Sequence, residues 1–155
     1  MMTSLSCDVI RLLAGKTLVT AESCSGGGIG AALTAVPGSS AVYKGGIISY
    51  TNWVKENMLK VDPEILENCG AVSSEVAKAM AEGARKTLQA DIAVSVTGLA
   101  GPGGDEFGNP VGTVFIGYSD TFRSESIACY FTGTREEIRN QAIYTALKVV
   151  LDFNS

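Results

Sequence analysis

Apolar positions along the chain alternate between helical and extended spacing, and the alternation lays out a fold. Leu5, Val9, Leu12 and Leu13 recur at helical intervals and Gly15 suits the position just past a helix end, so residues 4–14 read as a helix. Residues 17–21 are short, rich in β-branched side chains and bounded by turn chemistry, as a strand is. Small helix-compatible residues return over 26–35 and stop before Pro37-Gly38, and 43–50 reads as a second strand. A helix over 53–59 and a short one after Pro63 follow. Ser73 or Ser74 can cap the next helix, whose apolar face is Val76, Met80, Ala84 and Leu88. Residues 91–96 form a nearly continuous apolar run, the pattern of a strand covered on both faces. Strands at 111–118 and 124–131 precede a helix that opens on the capping box Thr134-Arg-Glu-Glu137 and runs to about Asp152, burying Ile138, Ala142, Thr145 or Ala146, and Val149. The order predicts a three-layer α/β/α sandwich with a mixed, mostly parallel sheet.

Composition narrows the class. At 155 residues with 46% hydrophobic and 18% charged side chains, the chain fits one globular domain, residues 1–155. Sixteen acidic against twelve basic residues argue against a nucleic-acid partner bound through phosphates. No apolar run approaches the eighteen or so residues that cross a bilayer, and the N-terminus has no secretory pattern. Four cysteines with no C-x-x-C pair suggest a reduced, cytosolic protein with free, mostly buried thiols. The absence of histidine removes a Ser-His-Asp triad, a Cys-His dyad and an imidazole zinc site. Lys, Tyr, a carboxylate or a metal held by oxygen must then move protons, and no ligand cluster demands a metal.

Four segments could carry chemistry. In Thr20-Ala-Glu-Ser-Cys-Ser-Gly-Gly-Gly-Ile-Gly30 a strand gives way to a helix, where a hydroxyl can sit beside free backbone N–H groups. The same stretch formally fits a dinucleotide fingerprint, but the next strand ends in Tyr50-Thr-Asn52 without the acidic ribose partner. A tight turn without function is the third reading. Pro37-Gly-Ser-Ser40, Tyr50 and Lys55 offer a Ser–Lys or Ser–Tyr–Lys arrangement, in which the amine is a base only if burial or nearby positive charge lowers its pKa. Taken singly, Lys55 reads as a solvated helix lysine and Tyr50 as a strand aromatic. The glycine-rich stretch from Thr97 to Gly112 is either a ligand-side loop, outside the carboxyl end of a strand, or a flexible hairpin-like loop. Thr132-Gly-Thr-Arg135 is either an anion site at a helix start or a plain capping box.

Together these segments resemble the CinA C-terminal domain family. The resemblance rests on Ala21-Glu-Ser-Cys-Ser-Gly-Gly27, Pro37-Gly-Ser-Ser40, Ile48-Ser-Tyr-Thr-Asn52 with Lys55, Gly70-Ala-Val-Ser73, Thr97-Gly-Leu-Ala-Gly-Pro102 and Pro110-Val-Gly-Thr113, in order, and covers about residues 5–152. It implies hydrolysis of nicotinamide mononucleotide to nicotinate mononucleotide and ammonia without a cofactor, a phosphorylated pyridine nucleotide as small-molecule partner, and a homo-oligomer. It also implies the short form of the family, without the further N-terminal domain. The family's functional positions fall on Ser23, Ser40, Tyr50, Lys55, Thr97 and Arg135. Ser25 stands where the family usually has Thr, and Thr134 where Asp is common.

The mechanism expected from these positions is acyl transfer. Ser23 attacks the carboxamide, and Lys55, close to Tyr50, takes its proton. Backbone N–H groups around Cys24, Gly26 and Gly27 hold the oxyanion. Ser40 is a proton relay or the nucleophile itself. Thr97, Gly98 and Gly101 position ring or ribose, and Arg135 holds the phosphate. The rival expectation is a non-catalytic nucleotide-binding or interaction module in competence or DNA-damage responses, which would use the same loops without a base.

Overall fold

Two strands, β1 (Leu18–Glu22) and β3 (Ile92–Gly98), lie side by side inside a five-stranded sheet, in a computed structural model that describes residues 2–155. Both are buried almost throughout: the nearly continuous apolar run of β3 requires it, and β1 buries Thr20 and Glu22 as well. The sheet order is β2–β1–β3–β4–β5, with β2 at Tyr43–Ile48, β4 at Thr113–Ser119 and β5 at Ser124–Tyr130. Pairing is parallel for β2–β1 and β1–β3, and antiparallel for β3–β4 and β4–β5. Four strands therefore run one way and only β4 runs against them, which is the expected mixed, mostly parallel sheet.

Successive side chains of a strand face opposite ways, and here each face meets helices. Leu18, Val94, Val96, Ile116 and Tyr118 pack with α1 (Met2–Leu12), α2 (Gly28–Thr34) and α6 (Arg135–Phe153) around Val9, Ile29, Ile138 and Ala146. Val19, Ala21 and Ala93 face the other way, onto α4 (Pro63–Cys69) and α5 (Ser74–Thr87), around Met80 and Ala84. The second layer sits close because the sheet offers it small residues. A Cβ on Gly117 would lie 2.1 Å from the Ala77 carbonyl oxygen of α5. The short α3 (Asn52–Asn57) follows the end of β2.

Most element boundaries fall within two residues of those expected. Helix α1 starts at Met2 and ends at Leu12, so Leu13, though buried, belongs to the following turn. On α6, Ala146 rather than Thr145 is buried, and Ile143, Leu147 and Val150 widen the covered face. The cysteines are free, but only Cys24 is buried; Cys7, Cys69 and Cys129 are half-buried, which corrects the expectation of mostly buried thiols. Among the described residues no helix is long and apolar enough to cross a membrane.

Topology decides where a ligand can sit. From β1 the chain crosses to β2 through α2 on one face, then returns past β1 to β3 through α5 on the other. The two crossovers part at the carboxyl ends of β1 and β3, which opens a crevice there.

Candidate active site

The crevice is a cavity of about 290 Å³. Ser23, Cys24, Tyr50, Lys55, Thr97, Gly98, Gly101 and Arg135 line it, along with Asn52 and residues 71–72. Eight residues from four distant stretches of sequence thus meet where the topology places a ligand.

Ser23 follows β1 directly, and its N–H donates to the Val96 carbonyl at 3.0 Å, which anchors it to β3. Lys55 comes from α3, whose start is set by the Thr51 hydroxyl accepting from the Val54 N–H. The Lys55 side chain runs inward and is 2% exposed, so the solvated-lysine reading fails. Its Nζ donates to Ser23 Oγ at 2.9 Å and to the Ser49 carbonyl at 2.7 Å. Burial lowers its pKa from 10.5 to about 8. An amine of that pKa is neutral in about one molecule in ten at pH 7 and in half of them at pH 8, and a neutral amine can accept the serine proton. Ser49 had no role in the sequence reading. Its N–H bonds the Glu22 carbonyl at 2.7 Å, which fixes the acceptor that holds Lys55.

Tyr50 departs from expectation. Its hydroxyl makes no hydrogen bond to Lys55; it accepts one from Arg135 Nη2 at 3.1 Å, and the ring is well exposed at the cavity mouth. Arg135 Nη1 also donates to the Gly101 carbonyl, so one guanidinium ties α6, the loop after β3 and the end of β2 together. The capping box forms as well, with Thr134 and Glu137 exchanging hydrogen bonds. Arg135 therefore sits at a capped helix start and also faces the cavity. Thr97 Oγ1 donates to the Ala71 carbonyl at 2.7 Å and binds the cavity wall to the segment before α5.

Ser40 lies elsewhere. It is exposed in the short turn Ser39–Ala41 that leads into β2, at the amino ends of the parallel strands. Ser23 is at their carboxyl ends, about 13 Å of strand rise away. Within one chain Ser40 can neither relay a proton to Lys55 nor attack a ligand in this cavity, which corrects both expected roles. Gly26 and Gly27 do not line the cavity, which corrects their expected place among the residues that touch the ligand. Their φ values of 60° and 95° turn the chain from Ser23 into α2.

The oxyanion donors narrow accordingly. The Gly26 N–H is used within the turn, bonding the Ser23 carbonyl at 3.1 Å. Since C=O and N–H of a trans peptide point opposite ways, tucking in that carbonyl turns the Cys24 N–H outward, and residue 24 lines the cavity. Burial pushes the Cys24 thiol up to about 11 despite nearby cations, so it stays protonated and acts as a small wall residue.

Glu22 was quoted only as part of a motif. It is 2% exposed, and its carboxylate accepts from Ser25 Oγ, Thr20 Oγ1 and the N–H groups of Ile29 and Gly30 at 2.8–3.1 Å. Those amides begin α2, where a dinucleotide fold would bind pyrophosphate. The protein's own carboxylate fills that place, which removes the dinucleotide reading. The glycine-rich loop is tied down rather than loose: Asp105 accepts from the Phe107 and Asn109 N–H groups, and Asn109 Nδ2 reaches the Val72 carbonyl. No carboxylate lines the cavity, while Lys55 and Arg135 do, so it favours an anion despite a net charge of -4.

Fold and site define an α/β protein with a buried serine–lysine pair at a topological switch point. Residues 3–153 match the model of the CinA C-terminal domain, and the chain belongs to that family. A CinA-like protein of Parasynechococcus marenigrum is 52% identical over 134 residues, 85% of this chain and 32% of that protein. One from Mycolicibacterium paratuberculosis is 44% identical over 147 residues, 92% and 34% of the two chains. The chain thus spans about a third of the length of these curated relatives. The crystal structure of a competence/damage inducible protein from Agrobacterium tumefaciens superposes with a TM-score of 0.95 at 39% identity, covering 99% of this chain and 96% of that one. A competence or damage-inducible protein from Enterobacter asburiae gives 0.97 at 31%, covering 100% and 99%.

Proposed function

We propose that the chain is a nicotinamide-nucleotide amidase that hydrolyses the carboxamide of nicotinamide mononucleotide to nicotinate mononucleotide and ammonia. The observation that carries this reading is the contact between Lys55 Nζ and Ser23 Oγ, buried at the base of an anion-favouring cavity. Neutral Lys55 takes the hydroxyl proton as Ser23 Oγ bonds to the carboxamide carbon, and the Cys24 N–H faces the resulting oxyanion. The Lys55 ammonium then protonates the departing nitrogen, the C–N bond breaks, and ammonia leaves an ester on Ser23. Water, deprotonated by Lys55, attacks the ester; that proton returns to Ser23 Oγ as the C–O bond breaks, and the carboxylic acid is released and loses its own proton to solvent. Arg135 at the mouth suits the phosphate, and a cavity of about 290 Å³ suits one nucleotide rather than a dinucleotide.

A binding module would hold its anion with a charged lysine and would not need an amine whose pKa burial has lowered to about 8. Ammonia release from the mononucleotide, in chelator, tests the reading. Wild type turns over, Ser23→Ala and Lys55→Ala lose roughly a thousandfold or more, and Ser40→Ala stays within about twofold. Binding without ammonia release at any pH overturns the proposal, and full activity in Ser23→Ala overturns the nucleophile.

A further inference from the structure

Helix α6 reaches the serine turn through a residue that has no part in the mechanism above. Arg139, one turn after Arg135, directs Nε to the Cys24 carbonyl at 2.9 Å and Nη2 to the Ser25 carbonyl at 3.2 Å. Its guanidinium makes no ion pair among the described residues, so its charge falls on two consecutive peptide groups of the turn. The fit is close. A Cβ on Gly26 would stand 3.1 Å from Arg139 Nη2, and one on Gly28 would meet Ile143 Cδ1 of the same helix at 2.3 Å. The Glu22 carboxylate in turn grips Ser25 Oγ and the first amides of α2.

We infer that Arg139 and Glu22 are positioning residues that clamp the turn, one through its carbonyls and the other through its hydroxyl and amides, and fix the peptide planes after Ser23, so that the Cys24 N–H is held toward the cavity. Rotation of the 24–25 or 25–26 peptide would break the Arg139 contacts, and rotation of the 23–24 peptide would break the bond between the Ser23 carbonyl and the Gly26 N–H. The reacting oxygen meets donors already in place, which is where most of the benefit of an oxyanion site arises. A guanidinium suits the task because two donors in one rigid plane bind two successive carbonyls, which a lysine ammonium cannot do together.

The inference rests on the amidase reading, so the experiment has one arm that needs turnover and one that does not. In the turnover arm, Arg139→Ala lowers kcat about tenfold to a hundredfold with KM within about twofold. The midpoint of the pH profile stays put, because Lys55 is untouched. Millimolar guanidinium chloride, set against equal sodium chloride, restores part of the loss, and Arg139→Lys falls between. Glu22→Gln, which sets an amide donor against N–H donors, also lowers kcat. In the second arm, amide hydrogen exchange followed by NMR shows the Gly26 N–H exchanging at least roughly tenfold faster in Arg139→Ala, with β3 amides unchanged. An unchanged kcat, a loss confined to KM, or no recovery by guanidinium beyond that by sodium chloride overturns the role in catalysis. Unchanged exchange at Gly26 overturns the clamp. If wild type releases no ammonia, the amidase reading fails, and the exchange data still decide whether Arg139 holds the turn.

Discussion

A lysine ammonium withdrawn from water loses hydration that two hydrogen bonds only partly replace, and Lys55 shows the result in a pKa lowered to about 8. Between pH 8 and 10.5 the unfolded chain binds a proton at residue 55 that the folded chain has shed. Stability from this site therefore rises with pH across that window, by up to about 3 kcal/mol for a shift of this size. Below pH 8 the folded protein carries the full cost of a buried cation. Lys55→Met removes the titration along with the activity. Urea denaturation at pH 7 and pH 10 should show wild type gaining on Lys55→Met as pH rises; parallel curves would contradict the buried-amine account. The same proton controls the reaction. The acidic limb of kcat/KM for the mononucleotide should rise with pH to a plateau with an apparent pKa near 8. A flat profile from pH 6 to 9 would mean that some other group accepts the serine proton.

Among elements, α5 shows how backbone proximity substitutes for side-chain bulk. The face it covers is Ala93, Ser95 and Gly117, and Ser95 Oγ bonds the Ala77 carbonyl of the helix. Gly117→Ala places a methyl on that carbonyl and must push the helix outward, which should destabilise the protein by roughly 1–3 kcal/mol in urea titration. No change in midpoint would mean that the layers are less tightly seated than the distances indicate. Helices and strands were largely legible because each carries its own period. The end of β1 was harder to read. An acidic residue in a short apolar run looks like a strand end, yet Glu22 pairs with both Ile48 and Val96 because four donors, from Thr20, Ser25, Ile29 and Gly30, make burial of that position tolerable only in the folded context. The turn chemistry of the glycine-rich loop was equally hidden, since its order depends on Asp105 meeting Asn109, and Asn109 meeting a carbonyl 37 residues away.

For the whole molecule, motif order did not translate into proximity. Ser23, Lys55, Thr97 and Arg135 were recognisable as a set, and the switch point at the ends of β1 and β3 brings them together. Ser40 belongs to the same ordered series but lies at the opposite end of the strands, a fact that only strand direction reveals. Arg139 gave no signal, because an arginine on a charged stretch of the last helix looks like any solvated surface residue. The lining comes from segments as far apart as residues 23 and 135, from the turn after the first strand and from the last helix. Recovery of turnover during refolding must therefore wait for the closing of the longest loops, whereas helical circular dichroism answers to local turns as well. Refolding from urea should show the far-ultraviolet signal returning before ammonia release, and the lag between the two would measure how late the last helix docks against the first strand.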